Sequence, residues 1–177
     1  MFLLNNSPSH NQPLSSSDAL LLGKNAVQEV ERFLITKEHS VPTPLYSLSD
    51  MAQAVGVGAI YVKDEGQRLG LGSFKAVGGG FAVARLVLEK ASRQEGRVVD
   101  VSELYGATVG AVAAGMTFAC ATDGNHGRAV AQGVAAVGAK AVIFVHKGVS
   151  PDRIAAIARF GAEIRHVDGT YDQSVLA

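Results

Sequence analysis

From Met116 to Val167 the chain reads MTFACATDGNHGRAVAQGVAAVGAKAVIFVHKGVSPDRIAAIARFGAEIRHV. Its apolar spacing switches between two periods. Met116 to Ala121, Lys140 to Val145 and Glu163 to Val167 are short β-rich runs and predict strands. Between the first two, Asn125 to Val137 predicts a helix. Ser150-Pro151-Asp152 sets an N-cap, an N1 proline and a first-turn acid before a second helix through Phe160, with Gly161 at the C′ position. Strands alternating with helices of this length make βαβ units, and therefore a parallel sheet of the α/β class.

Toward the N-terminus the same reading continues. Ser73 is placed to cap a helix running toward Ser92, whose stripe Phe74, Val77, Phe81, Ala84 and Leu88 has helical spacing. Ala59 to Lys63 predicts a strand, and Ser47 or Ser49 could cap a short helix ending at Gly56. Val41-Pro42-Thr43-Pro44 forces extended backbone, because each proline disfavours helix in the residue before it. A helix is expected from about Asp18 or Lys24 to Phe33, with Val27, Val30 and Leu34 at helical spacing. Asn5 to Ser17, rich in Ser, Asn and Pro, predicts a mobile arm. Residues Arg93 to Gly115 pass from polar to Ala/Gly-rich and suit an insertion or a short helix near a site.

Toward the C-terminus, Tyr171 to Ala177 opens a helix with no stop signal. The strands fall into two groups, one near Tyr61 and three after Met116. A parallel sheet wants both faces covered, so the chain reads as cut short.

Composition narrows the function classes. With 47% hydrophobic and 18% charged residues among 177, disorder throughout is excluded. Sixteen basic against sixteen acidic side chains argue against a nucleic-acid binder. Cys120, the single cysteine, can form no internal disulfide and reads as a small core residue. No apolar run approaches the ~20 residues of a membrane span, and Phe2 to Leu4 lacks the basic flank of a secretory signal. The expectation is a cytoplasmic protein acting on a small molecule, without membrane or nucleic-acid partners.

Two segments carry chemistry. The first is Gly70-Leu71-Gly72-Ser73-Phe74-Lys75-Ala76-Val77-Gly78-Gly79-Gly80. Lys75 falls in the first turn of a predicted helix, where the dipole and partial burial would leave more of its amine neutral and nucleophilic. Three helical glycines cost about 1 kcal/mol each relative to alanine, which calls for close approach of another backbone or of a planar ligand. The competing reading is a solvated lysine and a tight helix crossing. Gly70-x-Gly72 is no nucleotide loop, because Lys75 replaces the third glycine of that pattern and no GK[ST] follows.

The second segment is Ala121-Thr122-Asp123-Gly124-Asn125-His126-Gly127-Arg128, between a predicted strand and a helix N-terminus. Open α/β sheets bind ligands there. Asn125 can both donate and accept; Asp123 could act as a base or cap the helix; His126 reads as a structural histidine. No second His, Cys or acid lies at ligand spacing, so no metal is expected. Asp64-Glu65 reads as a capping or pairing element, and Arg153, Arg159 and Arg165 as solvated.

Taken together, Pro42-Thr43-Pro44-Leu45, Val62-Lys63-Asp64-Glu65, Ser73-Phe74-Lys75 and Gly124-Asn125-His126-Gly127 resemble the fold-type II pyridoxal-phosphate enzymes. That superfamily has the tryptophan-synthase-β-like, three-layer αβα fold and includes threonine and serine dehydratases and cysteine synthases. Within it the two segments look most like the diaminopropionate ammonia-lyases, and the resemblance runs from about Pro42 to Ala177. It implies that Lys75 forms the Schiff base with pyridoxal phosphate and acts as an acid/base on the substrate α-carbon. It also implies that Asn125 bonds the cofactor's ring hydroxyl and Phe74 packs near the ring.

Asp123 stands where dehydratases carry a small hydroxyl or neutral residue. The resemblance makes it a second base on the opposite face of the substrate, linked in these lyases to acceptance of both enantiomers of 2,3-diaminopropionate. The products would be pyruvate and ammonia. The glycine-rich phosphate loop and the residue meeting the pyridine nitrogen belong, in this superfamily, to a C-terminal half that this sequence does not contain. The implied organisation is an arm (1–17), a leading part of the larger cofactor-binding domain (18–72) and an incomplete smaller α/β domain (73–177), homodimeric at full length. Serine or threonine dehydration and an inactive fragment are the alternatives.

Overall fold

The computed structural model describes residues 4–38 and 40–177; Phe2 and Leu3, from the apolar start of the chain, lie outside that range. Three parallel strands, β3 (Thr117–Ala121), β4 (Lys140–His146) and β5 (Glu163–Val167), lie in chain order with β4 central. They are joined by α6 (Asn125–Val137) and α7 (Pro151–Ala158), and α8 (Tyr171–Leu176) follows β5. The α/β expectation and its parallel sheet are met. The boundaries of α6 and β5 fall where the hydrophobic spacing placed them.

One face of β4 carries Ala141, Ile143 and Val145, all buried; Val142, Phe144 and His146 on the other are half-buried. The buried face joins a core with Val130 and Val134 of α6 and Ile157 of α7. It extends through Val83, Val87 and Ala91 of α4 (Lys75–Glu95) to Val109 and Ala113 of α5 (Ala107–Ala114). Phe33 of α2 (Lys24–Ile35) closes this core, fully buried and edge-to-face with Phe81 at 5.6 Å between centroids. Each such side chain contributes about 1.5–3 kcal/mol through removal from water.

The glycine run has a packing explanation. A Cβ on Gly79 would come within 2.9 Å of Ala129 Cβ, and one on Gly133 within 3.1 Å of the Gly80 backbone. Gly79, Gly80 and Gly133 let α4 and α6 cross with backbones nearly touching. A Cβ on Gly78 would meet nothing within 4 Å, so this glycine faces open space. The close backbone approach expected of the glycine run is thus met at Gly79 and Gly80, while Gly78 lines the cavity at the starts of α4 and α6.

Before α4 the chain makes a 3-10 turn (Arg68–Gly70) in which Leu69, Gly70 and then Gly72 all have positive φ. Glycine takes this conformation freely, whereas Leu69 does so at a cost of roughly 1–2 kcal/mol, offset by burial beside Leu71, Ala76 and Ala129. The glycines shape a left-handed loop that leads into α4.

Several sequence expectations are corrected. Of the two starts expected for the N-terminal helix, Lys24 is the one α2 takes; the residues before it form a separate helix, α1 (Ser16–Leu22), ended at Gly23, and α2 runs two residues past Phe33. The arm expected to reach Ser17 ends earlier, because Ser15 Oγ accepts the Asp18 N–H and starts α1. Helix α3 (Ser49–Val55) begins after Leu48 with no side-chain cap. A 3-10 turn at Val101–Glu103, closed by an Asp100/Glu103 capping box, was not anticipated.

Strands β1 (Leu45–Ser47) and β2 (Tyr61–Lys63) pair antiparallel in a sheet of their own. Around them Asp64 caps locally, its Oδ1 accepting the Gly66 N–H at 2.8 Å. Glu65 pairs bidentately with Arg68 at 2.6 and 2.7 Å and accepts the Thr43 hydroxyl at 2.6 Å. Lys63 Nζ donates to the Thr43 carbonyl. The Pro-Thr-Pro and Lys-Asp-Glu motifs therefore lock one another.

Hydrogen bonds from Arg68 and then Thr43 hold the Glu65 carboxyl down at about 2, against an ordinary value of 4.5. A depressed carboxylate stabilises fully above its unfolded value and ceases to do so as pH falls through its folded one. Glu65→Gln is expected to lower the unfolding midpoint at neutral pH and to flatten the loss of stability between pH 4.5 and about 2. Urea melts across that range check this, and an unchanged acid profile would count against it.

Candidate active site

A cavity of about 530 Å³ opens where α4 and α6 both begin. Phe74, Lys75, Gly78 and Gly79 form one wall, and Ala121 to His126 form the other, with Arg153 and Tyr171 at its edge. Phe74, Lys75, Asp123 and Asn125, the four residues singled out in the sequence, line this one space.

Lys75 is the first residue of α4, its N–H received by Ser73 Oγ at 3.3 Å, while the N-cap position itself belongs to Phe74. Lys75 and Phe74 are both exposed, so the partial burial expected for the lysine is not seen. Asn125 opens α6 directly across the cavity wall and is also exposed.

Thr122, not Asp123, satisfies the start of α6. Its buried Oγ1 accepts the N–H groups of Gly124 at 3.0 Å and Gly127 at 2.9 Å. Asp123 is therefore free of capping. Its Oδ1 instead lies 2.8 Å from His146 Nε2.

Arg153, expected to be solvated, donates to the Asp123 carbonyl at 3.3 Å and lays its aliphatic stem where a Cβ on Gly124 would sit. Neither contact is legible from spacing, because β4 and α7 reach the turn only through strand order. Partial burial, and after it the Lys75 ammonium, holds the His126 imidazole below its ordinary range. Cys120 lies half-buried on β3 with its thiol pushed up to about 11 by burial, which removes it as a nucleophile.

Arg128 Nε is buried without a partner, and burial and then Arg159 lower that guanidinium's proton affinity. Arg159 stacks on Phe160 and Arg165 on Phe144, at 4.7 and 5.9 Å from the ring centroids. Among the described residues no group of three or more His, Cys, Asp or Glu gathers as a metal site, and no helix is long and apolar enough to cross a membrane.

The chain is similar to known proteins in sequence and in fold. Diaminopropionate ammonia-lyase of Escherichia coli (strain K12) is 43% identical over 135 residues, covering 76% of this chain and 32% of the relative. That of Salmonella typhimurium (strain LT2) is 36% identical over 160 residues, covering 88% of this chain and 38% of the relative. The crystal structure of the Escherichia coli enzyme in complex with D-serine superposes with a TM-score of 0.75 at 37% identity, over 86% of this chain and 38% of that one. The chain thus spans about a third of the length of the curated relatives it matches. Residues 36–177 match the family described as pyridoxal-phosphate dependent enzyme. With that match spanning most of its length, and with a lysine and an asparagine at two helix starts around one cavity, the chain belongs to the pyridoxal-phosphate dependent enzyme family.

Proposed function

We propose that this chain supplies the N-terminal part of a lyase that eliminates ammonia from 2,3-diaminopropionate, leaving pyruvate. The observation that carries the reading is one cavity bounded by Lys75 on α4 and by Asp123 and Asn125 at the start of α6. The similarity to the enzymes from Escherichia coli and Salmonella supports the substrate.

The residues present fit pyridoxal phosphate. The cavity offers an amine at Lys75, an amide at Asn125 and a ring at Phe74, and at Gly78 a wall without a side chain. When bound, that cofactor supplies the electron sink for negative charge at the substrate α-carbon. Lys75 would hold it through the amine and would move a proton on or off the substrate α-carbon. Asn125, whose amide lines the same cavity, would bond its ring hydroxyl, and Phe74 would pack near its ring. Asp123 acts as the second acid/base from the other wall.

Residues 18–72 are assigned to the larger domain and 73–177 to the smaller: the β1–β2 pair is separate from the parallel sheet, and α2 of the leading part packs Phe33 into the core of the smaller unit. A homodimer in the cytoplasm completes the reading.

The test is a chimera in which this chain replaces the matching segment of the Escherichia coli enzyme. Pyruvate release from D- and L-diaminopropionate is compared with 2-oxoacid release from serine and threonine. Diaminopropionate is expected to turn over faster, with Asp123→Asn costing on the order of 10²–10⁴-fold on the D-substrate alone. Faster release from serine or threonine would make the protein a dehydratase, and unchanged D-turnover in Asp123→Asn would remove the second base.

A further inference from the structure

The turn that carries Asp123 is held by a residue from the next strand. β3 and β4 are parallel with Ala121 opposite Phe144. Two residues further along each chain, that register brings Asp123 beside His146, the last residue of β4. His146 Nε2 lies 2.8 Å from Asp123 Oδ1. The other ring nitrogen, Nδ1, accepts the Gly148 backbone N–H at 3.0 Å. A backbone N–H can only donate, so Nδ1 must carry a lone pair. The proton of the neutral ring is then on Nε2, directed at the carboxylate.

Other contacts support the same placement. A Cβ on Gly148 would come within 2.8 Å of His146 Cε1, so the absence of a side chain there makes room for the ring. The His146 side chain is 21% exposed against 62% for Asp123. Asp123 lines the cavity whereas His146 stands behind it. At the other end of Asp123, Arg153 Nη1 donates to the backbone carbonyl at 3.3 Å.

We propose that His146 is a positioning residue for Asp123, its Nε2–H holding Oδ1 so that Oδ2 is the oxygen that exchanges a proton with the substrate α-carbon. The inference rests on Asp123 being the second acid/base of the proposed elimination. The proton account closes without His146 changing state. The α-C–H bond breaks, its electron pair stays on the substrate carbon, and the proton goes to Oδ2. His146 keeps the proton on Nε2 throughout, because Nδ1 is occupied by the Gly148 N–H. It orients the base and relays nothing.

The experiment uses the chimera with His146→Leu, His146→Gln and Asp123→Asn, and the His146→Leu/Asp123→Asn pair. His146→Leu is expected to lower kcat on D-diaminopropionate by about 10- to 100-fold, the scale of a misplaced catalytic group, and to leave the L-enantiomer within about twofold. His146→Gln, which keeps an N–H near the Nε2 position, regains most of the D-turnover. In the Asp123→Asn background His146→Leu has no further effect.

Equal loss on both enantiomers, no loss on either, or additivity in the double variant would each overturn the proposal. A collapse in Asp123→Asn with His146→Leu unaffected sinks the positioning role alone. Unchanged D-turnover in Asp123→Asn removes the underlying reading and the proposal with it. A measurement on the chimera without cofactor stands apart from turnover. Long-range ¹H–¹⁵N spectra should show His146 as the Nε2–H tautomer, and the Nδ1–H tautomer would refute the arrangement.

Discussion

Replacing Lys75 by alanine in the chimera is expected to abolish lysine-linked cofactor and to lower turnover by on the order of 10³-fold or more, since the proposed reading gives this one side chain both attachment and proton transfer. The lining residues include no other lysine. Lys63, the lysine on neighbouring β2, has its Nζ engaged with the Thr43 carbonyl. Lys75 also begins α4 with its side chain exposed to the cavity, so removing it disturbs no buried contact. The loss should therefore appear with the unfolding midpoint little changed. Two readouts check it: the near-visible absorbance of lysine-linked cofactor, and the mass gained after borohydride reduction. Lys75→Arg keeps the charge and should fail equally, because a guanidinium neither attaches the cofactor nor gives up its proton. Unchanged absorbance in Lys75→Ala would end the assignment.

Gly127→Ala should destabilise the 177-residue chain by about 1–3 kcal/mol, although alanine is the better helix former by about 1 kcal/mol. The sign is decided by packing. A Cβ at Gly127 overlaps Thr122 Cγ2 and comes within 3.0 Å of Ile143 Cγ2 in the buried layer between α6 and β4. Thr122 can escape only by turning about χ1, which carries Oγ1 away from the Gly124 and Gly127 N–H groups it accepts. Overpacking of about 1–3 kcal/mol and a lost cap of about 1 kcal/mol together exceed the propensity gain. At about 2–4 °C per kcal/mol for a domain of this size, Tm should fall by about 2–12 °C. Gly110→Ala is the control. It lies in α5 with nothing within 4 Å of its Cβ position, and only the propensity gain applies, so Tm should rise. If both variants shift Tm in the same direction, the packing argument is wrong.

The parallel α/β core was legible because its signals are local. Hydrophobic period, an N1 proline at Pro151 and the left-handed Gly161 all act within a few residues, and α6, β4, α7 and β5 appear close to where those signals place them. The candidate site was legible in part for the same reason. Lys75 and Asn125 each open a helix after a short polar segment, and helix starts can be read from the chain. The misread boundaries were those where local signals compete. Ser47 and Ser49 offered caps that α3 does not use, and Gly23 interrupts an apolar pattern that otherwise continues across it.

Local signals along the chain were enough for the class of fold and for the two segments that line the candidate site. What those segments touch was settled by packing. That Gly79 and Gly80 serve a helix crossing while Gly78 faces the cavity depends on the angle at which α4 meets α6. That Thr122 caps α6, leaving Asp123 to His146, depends on the register of β3 against β4. Both are set by contacts between elements distant in the chain. A hydrogen bond or a backbone contact at 3 Å exists only once those elements have placed the partners, and no local propensity encodes it.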